Sequence, residues 1–156
     1  MAIFVPGTPC TICGRPVSAT EERVLFPAFT ANEADPLHVF SDSVVHSKCF
    51  YEHPLARDAE VRVSEFISST GPGAKVCEIC KAPISDPDDY FGMGFLTADR
   101  LNPLYPWNYA RFHKHCLAAW NELPRIIEMA QEELRTGRWR GRGMELLVSD
   151  LQKHSR

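Results

Sequence analysis

Cys10-Thr11-Ile12-Cys13, followed by His46-Ser47-Lys48-Cys49, returns later in the chain as Cys77-Glu78-Ile79-Cys80 and His113-Lys114-His115-Cys116. Every cysteine and histidine of the first set stands 67 positions before its counterpart (Cys10 to Cys77, His46 to His113), so the halves align without a gap. Ile12 matches Ile79, Pro16 matches Pro83, and Ser18 matches Ser85. Thr30-Ala31 match Thr97-Ala98, and Pro36-Leu37 match Pro103-Leu104. Eleven of the forty columns from 10 to 49 are identical, which together with the shared ligand order makes this a tandem repeat.

The spacing carries its own chemistry. A C-x-x-C turn sets two sulfurs on one side of a tight knuckle, about a metal's width apart. H-x-x-C needs both residues on one face, which the first turn of a helix supplies at i and i+3. The partial positive charge of a helix N-terminus also favours the thiolate. Four such ligands close a tetrahedral site with no open position for water, so the site is structural and contributes on the order of 10 kcal/mol to folding. Disulfides would need an oxidising compartment, and iron–sulfur clusters usually take four cysteines. The expected cofactors are two Zn2+ ions. Cys10, Cys13, His46 and Cys49 are the first ligand set; Cys77, Cys80, His113 and Cys116 are the second.

The bulk numbers agree with a folded chain. Of 156 residues, 44% are hydrophobic and 24% charged, which is globular rather than disordered. No apolar run approaches a membrane span. The start, Met-Ala-Ile-Phe-Val-Pro-Gly, lacks the pattern of a signal peptide, so a cytoplasmic location and no membrane partner are expected. The formal charge is −3. Two sites of three thiolates around a divalent ion bring the loaded protein to about −5, which gives no global attraction to nucleic acid or anionic lipid.

Each half reads as knuckle, short β segment, long loop and helix: a small zinc-stabilised α+β fold of two repeats, 1–70 and 71–156, the second with a C-terminal helical extension. Val24-Leu25-Phe26 with Phe29, and Tyr90-Phe91 with Phe95-Leu96, are the expected strands. Asn102 to Trp107 is Pro-rich and irregular. Leu117, Trp120 and Leu123 recur on a helical face after His113; Pro124 interrupts, and a further helix runs to Gly137 as C-cap. A helix also starts at Ser47-Lys48-Cys49-Phe50. Ser68 to Gly73 is the expected linker. A last helix spans Met144 to Lys153 with Leu146, Leu147 and Leu151 as its buried side.

Knuckle first and helix-borne ligands last, the halves resemble treble-clef-type fingers. The C-x-x-C…H-x-x-C order, with the phenylalanine of His46-Ser47-Lys48-Cys49-Phe50, resembles the poly(ADP-ribose) polymerase-type zinc finger. That resemblance is carried by the ligand residues and implies recognition of DNA breaks. The first module of a LIM domain shares the ligand order with a shorter loop, but its second zinc pair is absent here.

Three functions follow as expectations. The leading one is a non-enzymatic protein-binding module, in one form an inhibitor or a bacterial immunity protein that neutralises a toxin. Glu21, Glu22, Glu33, Asp35, Asp42, Asp86, Asp88 and Asp89 could then cover a basic active site. The alternative is DNA or RNA binding through Arg135, Arg138, Trp139, Arg140 and Arg142, with arginines on phosphate and the indole stacked on a base. Against it stands a solvated loop whose Trp139 packs on the core. Catalysis is the third. His38, His53 and His115 lie outside the ligand sets, but no general base stands paired beside an open metal position.

Overall fold

The computed structural model describes residues 4–71 and 75–155. The chain clusters into two compact units, one of Met1–Ala31 with Asp35–Ser69, the other of Asn32–Ala34 with Thr70–Arg156. Each contains one two-stranded antiparallel sheet and its own apolar core.

In the first unit the knuckle is built by backbone hydrogen bonds. Cys10 N donates to Arg15 O at 2.9 Å and Gly14 N to Cys10 O at 2.8 Å, while Pro9 and Pro16 bridge across its base. Gly14 takes the left-handed conformation (φ 72°) that closes the turn and that glycine adopts without strain. Thr11 N then donates to Val44 O at 3.3 Å, joining the knuckle to the hairpin. That hairpin pairs β1 (Arg23–Leu25) with β2 (Val44–His46), Arg23 facing His46 across the ladder. Between the strands Asp35 caps a 3-10 turn at Pro36–Phe40 by accepting from Leu37 N. β2 runs directly into α1 (Ser47–Tyr51), and α2 (Ala56–Thr70) follows. Phe26, Phe40 and Phe50 form the centre of the core, with ring centroids 5.0–5.5 Å apart. Arg62 of α2 donates to Asp35 at 3.0 Å, an ion pair withdrawn from solvent.

The second unit repeats this backbone with the same displacement of 67. β3 (Tyr90–Gly92) pairs with β4 (Arg111–His113), Tyr90 facing His113 as Arg23 faces His46. Cys77 N donates to Ala82 O, Lys81 N to Cys77 O and Glu78 N to Arg111 O, each the counterpart of a bond above. α3 (Lys114–Ala118) matches α1, and α4 (Leu123–Arg135) matches α2. α5 (Arg142–His154) has no counterpart among the described residues; it packs on α4 and α3 and adds Met144, Val148 and Leu151 to the core.

Several expectations change. The strands stop at Leu25 and Gly92, so Phe26, Phe29, Phe95 and Leu96 lie beyond them as core residues. β2 and β4, unforeseen, complete the hairpins. Ser68, Ser69 and Thr70, read as linker, continue α2, while Pro72 and Gly73 lie outside the described residues. Trp120 falls in the break between α3 and α4 rather than on a helix. Leu146 is 58% exposed because α5 turns its i, i+4, i+7 stripe of Met144, Val148 and Leu151 inward. Among the described residues no helix is long and apolar enough to cross a membrane.

Candidate metal centres

Each cluster draws ligands from two places. The knuckle gives two cysteines, and the junction of strand and helix gives the others. His46 ends β2 and Cys49 lies in the first turn of α1; His113 ends β4 and Cys116 lies in the first turn of α3. Strand pairing and the Thr11–Val44 and Glu78–Arg111 hydrogen bonds fix these two places against each other.

All four ligand atoms of Cys10, Cys13, His46 and Cys49 lie within 4.8 Å of one another, and so do those of Cys77, Cys80, His113 and Cys116. Nδ1 is the imidazole nitrogen that faces the sulfurs. In the first cluster it lies 3.5 Å from Cys13 Sγ and 3.9 Å from Cys49 Sγ. In the second the corresponding distances, to Cys80 and Cys116, are 3.4 and 3.9 Å. Bonds of metal–sulfur and metal–nitrogen length at the tetrahedral angle predict an S···N edge of about 3.5 Å. Both groups can therefore hold a metal ion in a closed four-ligand site.

The surroundings favour charge on particular sulfurs. Hydrogen bonding from the Arg15 backbone holds the Cys13 thiol down to about 6. Burial pushes Cys77 up, but backbone donors of Cys80, His113 and Ile79 outweigh it and bring the thiol to about 6. The helix-borne pair behave oppositely. Burial, with thiolates for neighbours, raises Cys49 to about 11 and Cys116 to about 12. A divalent cation is the natural way to ionise those two, since it offsets both the burial and the repulsion.

Behind the first cluster, His46 Nε2 is buried without a hydrogen-bond partner and points toward Glu21 Oε2, 3.7 Å away. Glu21 is itself held by Ser18 N at 2.7 Å. A carboxylate behind the outer imidazole nitrogen is the usual way to orient a ligating histidine. In the second unit His115 does something sequence reasoning missed: its Nδ1 pairs with Asp89 Oδ2 at 2.7 Å, and its ring stacks on His113 at 4.9 Å. Asp89, His113 and His115 also bring ligand atoms within 4.8 Å of one another. The 67-residue shift places Lys48 opposite His115, so repeat comparison gave no signal for this pair.

The other singled-out residues are dispersed. Trp139 is only 4% exposed and belongs to the core of the second unit, so its ring face is not offered to a base. The Arg138 guanidinium binds the buried Glu133 carboxylate, and Arg135 pairs with Glu132 one helical turn away. Arg140 and Arg142 are exposed. Of the acidic residues, Asp35 holds Arg62, Asp86 caps a 3-10 turn by accepting from Asp88 N, and Asp89 holds His115. His53 lies edge-on to Phe40, with ring centroids 5.0 Å apart, and its Nδ1 accepts from Leu55 N. His38 is half-buried in the 3-10 turn.

No known family model matches the chain, and neither does any curated protein or solved structure.

Proposed function

We propose that the chain is a non-enzymatic protein-binding module, built from two treble-clef-like units that each hold a structural Zn2+. The observation that carries this reading is the closure of both Cys3His clusters. Three thiolates and an imidazole suit zinc, and four ligand atoms gathered within 4.8 Å of one another would fill a tetrahedral ion's coordination, leaving no position for substrate or activated water. A function then falls to the surfaces the clusters support. The nucleic-acid reading loses its stacking residue to the core and Arg138 to Glu133, so protein recognition is favoured. An inhibitor, such as an immunity protein that covers a toxin's active site, is one concrete form.

The test is affinity purification of the full chain from its native host, with metal analysis of the same sample. The expected result is two zinc ions per chain and one stoichiometric protein partner. Co-purified nucleic acid that salt removes, with no protein partner, overturns the reading.

A further inference from the structure

The displacement of 67 extends past the ligands into the helices, and there the two units differ in one respect. In the second unit, the face formed by β3, α3 and α4 is covered by α5. The helix packs on α3 and α4, its Met144, Val148 and Leu151 are buried, and His154 meets the Phe91 ring at 5.7 Å. In the first unit the matching face, formed by β1, α1 and α2, has no such helix among the described residues. It is an open groove of about 370 Å³.

The residues correspond one for one. Val24 stands for Phe91, Tyr51 for Ala118, Val63 for Ala130 and Ile67 for Leu134. In the covered face Phe91, Ala130 and Leu134 pack in or against the core while Ala118 stays exposed; in the open one Ile67 is 58% exposed, with Tyr51 at 68% and Leu25 at 41% beside it. Apolar side chains gathered into a concavity mark a recognition surface more than scattered ones do. Glu60 lines the groove where Ile127 is buried in the second unit, so one wall carries a negative charge.

We propose that this groove binds an amphipathic helix of a partner protein, one that presents apolar residues at i, i+4 and i+7 and a lysine or arginine opposite Glu60. The chain supplies the template: α5 is a helix with that apolar spacing, seated on the same kind of face. A helix laid into an apolar groove is a recurring mode of recognition. The proposal specifies the protein-binding reading above and rests on it.

The experiment uses the full, metal-loaded chain and a phage-displayed library of 15-residue helices with randomised surfaces. Enriched helices should carry the stated apolar spacing and a basic residue. Their affinity should fall tenfold or more with Leu25→Glu or Ile67→Glu and stay level with Leu101→Glu, a residue 93% exposed elsewhere. Glu60→Lys should reverse the preference for a basic residue. Metal content and amide spectra of each variant establish that it is folded, and Ile67→Ser gives a milder change at the same site. The proposal is overturned if no helix is enriched, or if enriched helices bind the groove variants as well as the parent. It is also overturned if the groove variants abolish self-association in ultracentrifugation, which makes a second copy the occupant. A native partner that stays bound to the Ile67→Glu chain sinks the groove assignment while leaving protein binding intact. A host preparation with no protein partner removes the broader reading, whatever the library yields.

Discussion

Arg138 donates to the Glu133 carboxylate through both Nε and Nη2, at 3.1 and 2.9 Å, and so places a basic residue of the arginine-rich segment in a structural role. Glu133 is 6% exposed and also accepts from Asn102 Nδ2 at 2.9 Å. Arg138→Ala leaves the buried carboxylate with less compensation. Because the arginine itself is half exposed, solvent screens the pair, and the expected result is a modest lowering of the urea midpoint. The triple variant Arg135→Ala, Arg140→Ala, Arg142→Ala changes exposed side chains and should lie within about 1 kcal/mol of the parent.

The two clusters should fail separately. His46→Ala or Cys13→Ser is expected to lower the zinc content from two ions per chain to one and to erase the amide signals of the first hairpin. His113→Ala or Cys80→Ser should do the same to the second. Mass-spectrometric metal counting with amide spectra reads both outcomes. Full retention of both ions in any of these variants argues against the assigned ligand.

Metal loading should release protons in a defined amount. Near pH 7, Cys13 and Cys77, held at about 6, are largely thiolate already, whereas Cys49 at about 11 and Cys116 at about 12 keep their protons. Coordination removes the latter two, so at least about two protons per chain should appear in weakly buffered solution when zinc is added. Raising the pH should reduce the release, since fewer protons remain bound before the metal arrives. Dye-monitored titration measures it, and a release that grows with pH contradicts this assignment.

Lys81 occupies the left-handed position of the second knuckle at φ 59°, where the first knuckle has Gly14 at φ 72°. A side chain there carries about 1 kcal/mol of backbone strain that glycine lacks. The Lys81–Glu78 ion pair is exposed and offsets only a fraction of that. Lys81→Gly should therefore stabilise the second unit by about 0.5–1 kcal/mol, and Gly14→Lys should destabilise the first by a similar amount. Denaturation midpoints test both.

The candidate clusters were legible in the sequence because ligand chemistry restricts residue type and interval together. Cys10 and Cys13 can be paired with His46 and Cys49 without knowing any torsion angle. The strands were harder. Three-residue elements such as Arg111–His113 are too short for alternation to register, and their existence depends on a partner strand some twenty residues earlier. On α5, Leu151 is buried and Leu147 packs on the core as expected, but Leu146 was misjudged: Leu146 and Val148 are similarly apolar, and only packing decides which of them turns inward. The open groove had no local signature at all. It emerges when the exposed Ile67 is compared with its counterpart Leu134, which packs against the core, a comparison that needs both folds.

The place of the histidines, at the end of a strand and the start of a helix, has a consequence for durability. His46 and Cys13 are 33 residues apart in the chain, as are His113 and Cys80, so an ion held between them acts as a reversible cross-link around a long loop. Among the described residues those loops contain only short strands and 3-10 turns, one such turn in the first and two in the second, which is little structure to persist once the link opens. With metal bound as proposed, each unit's lifetime is expected to follow how long its ion stays bound rather than the depth of a folding equilibrium. In a chelator challenge the clock is ligand exchange.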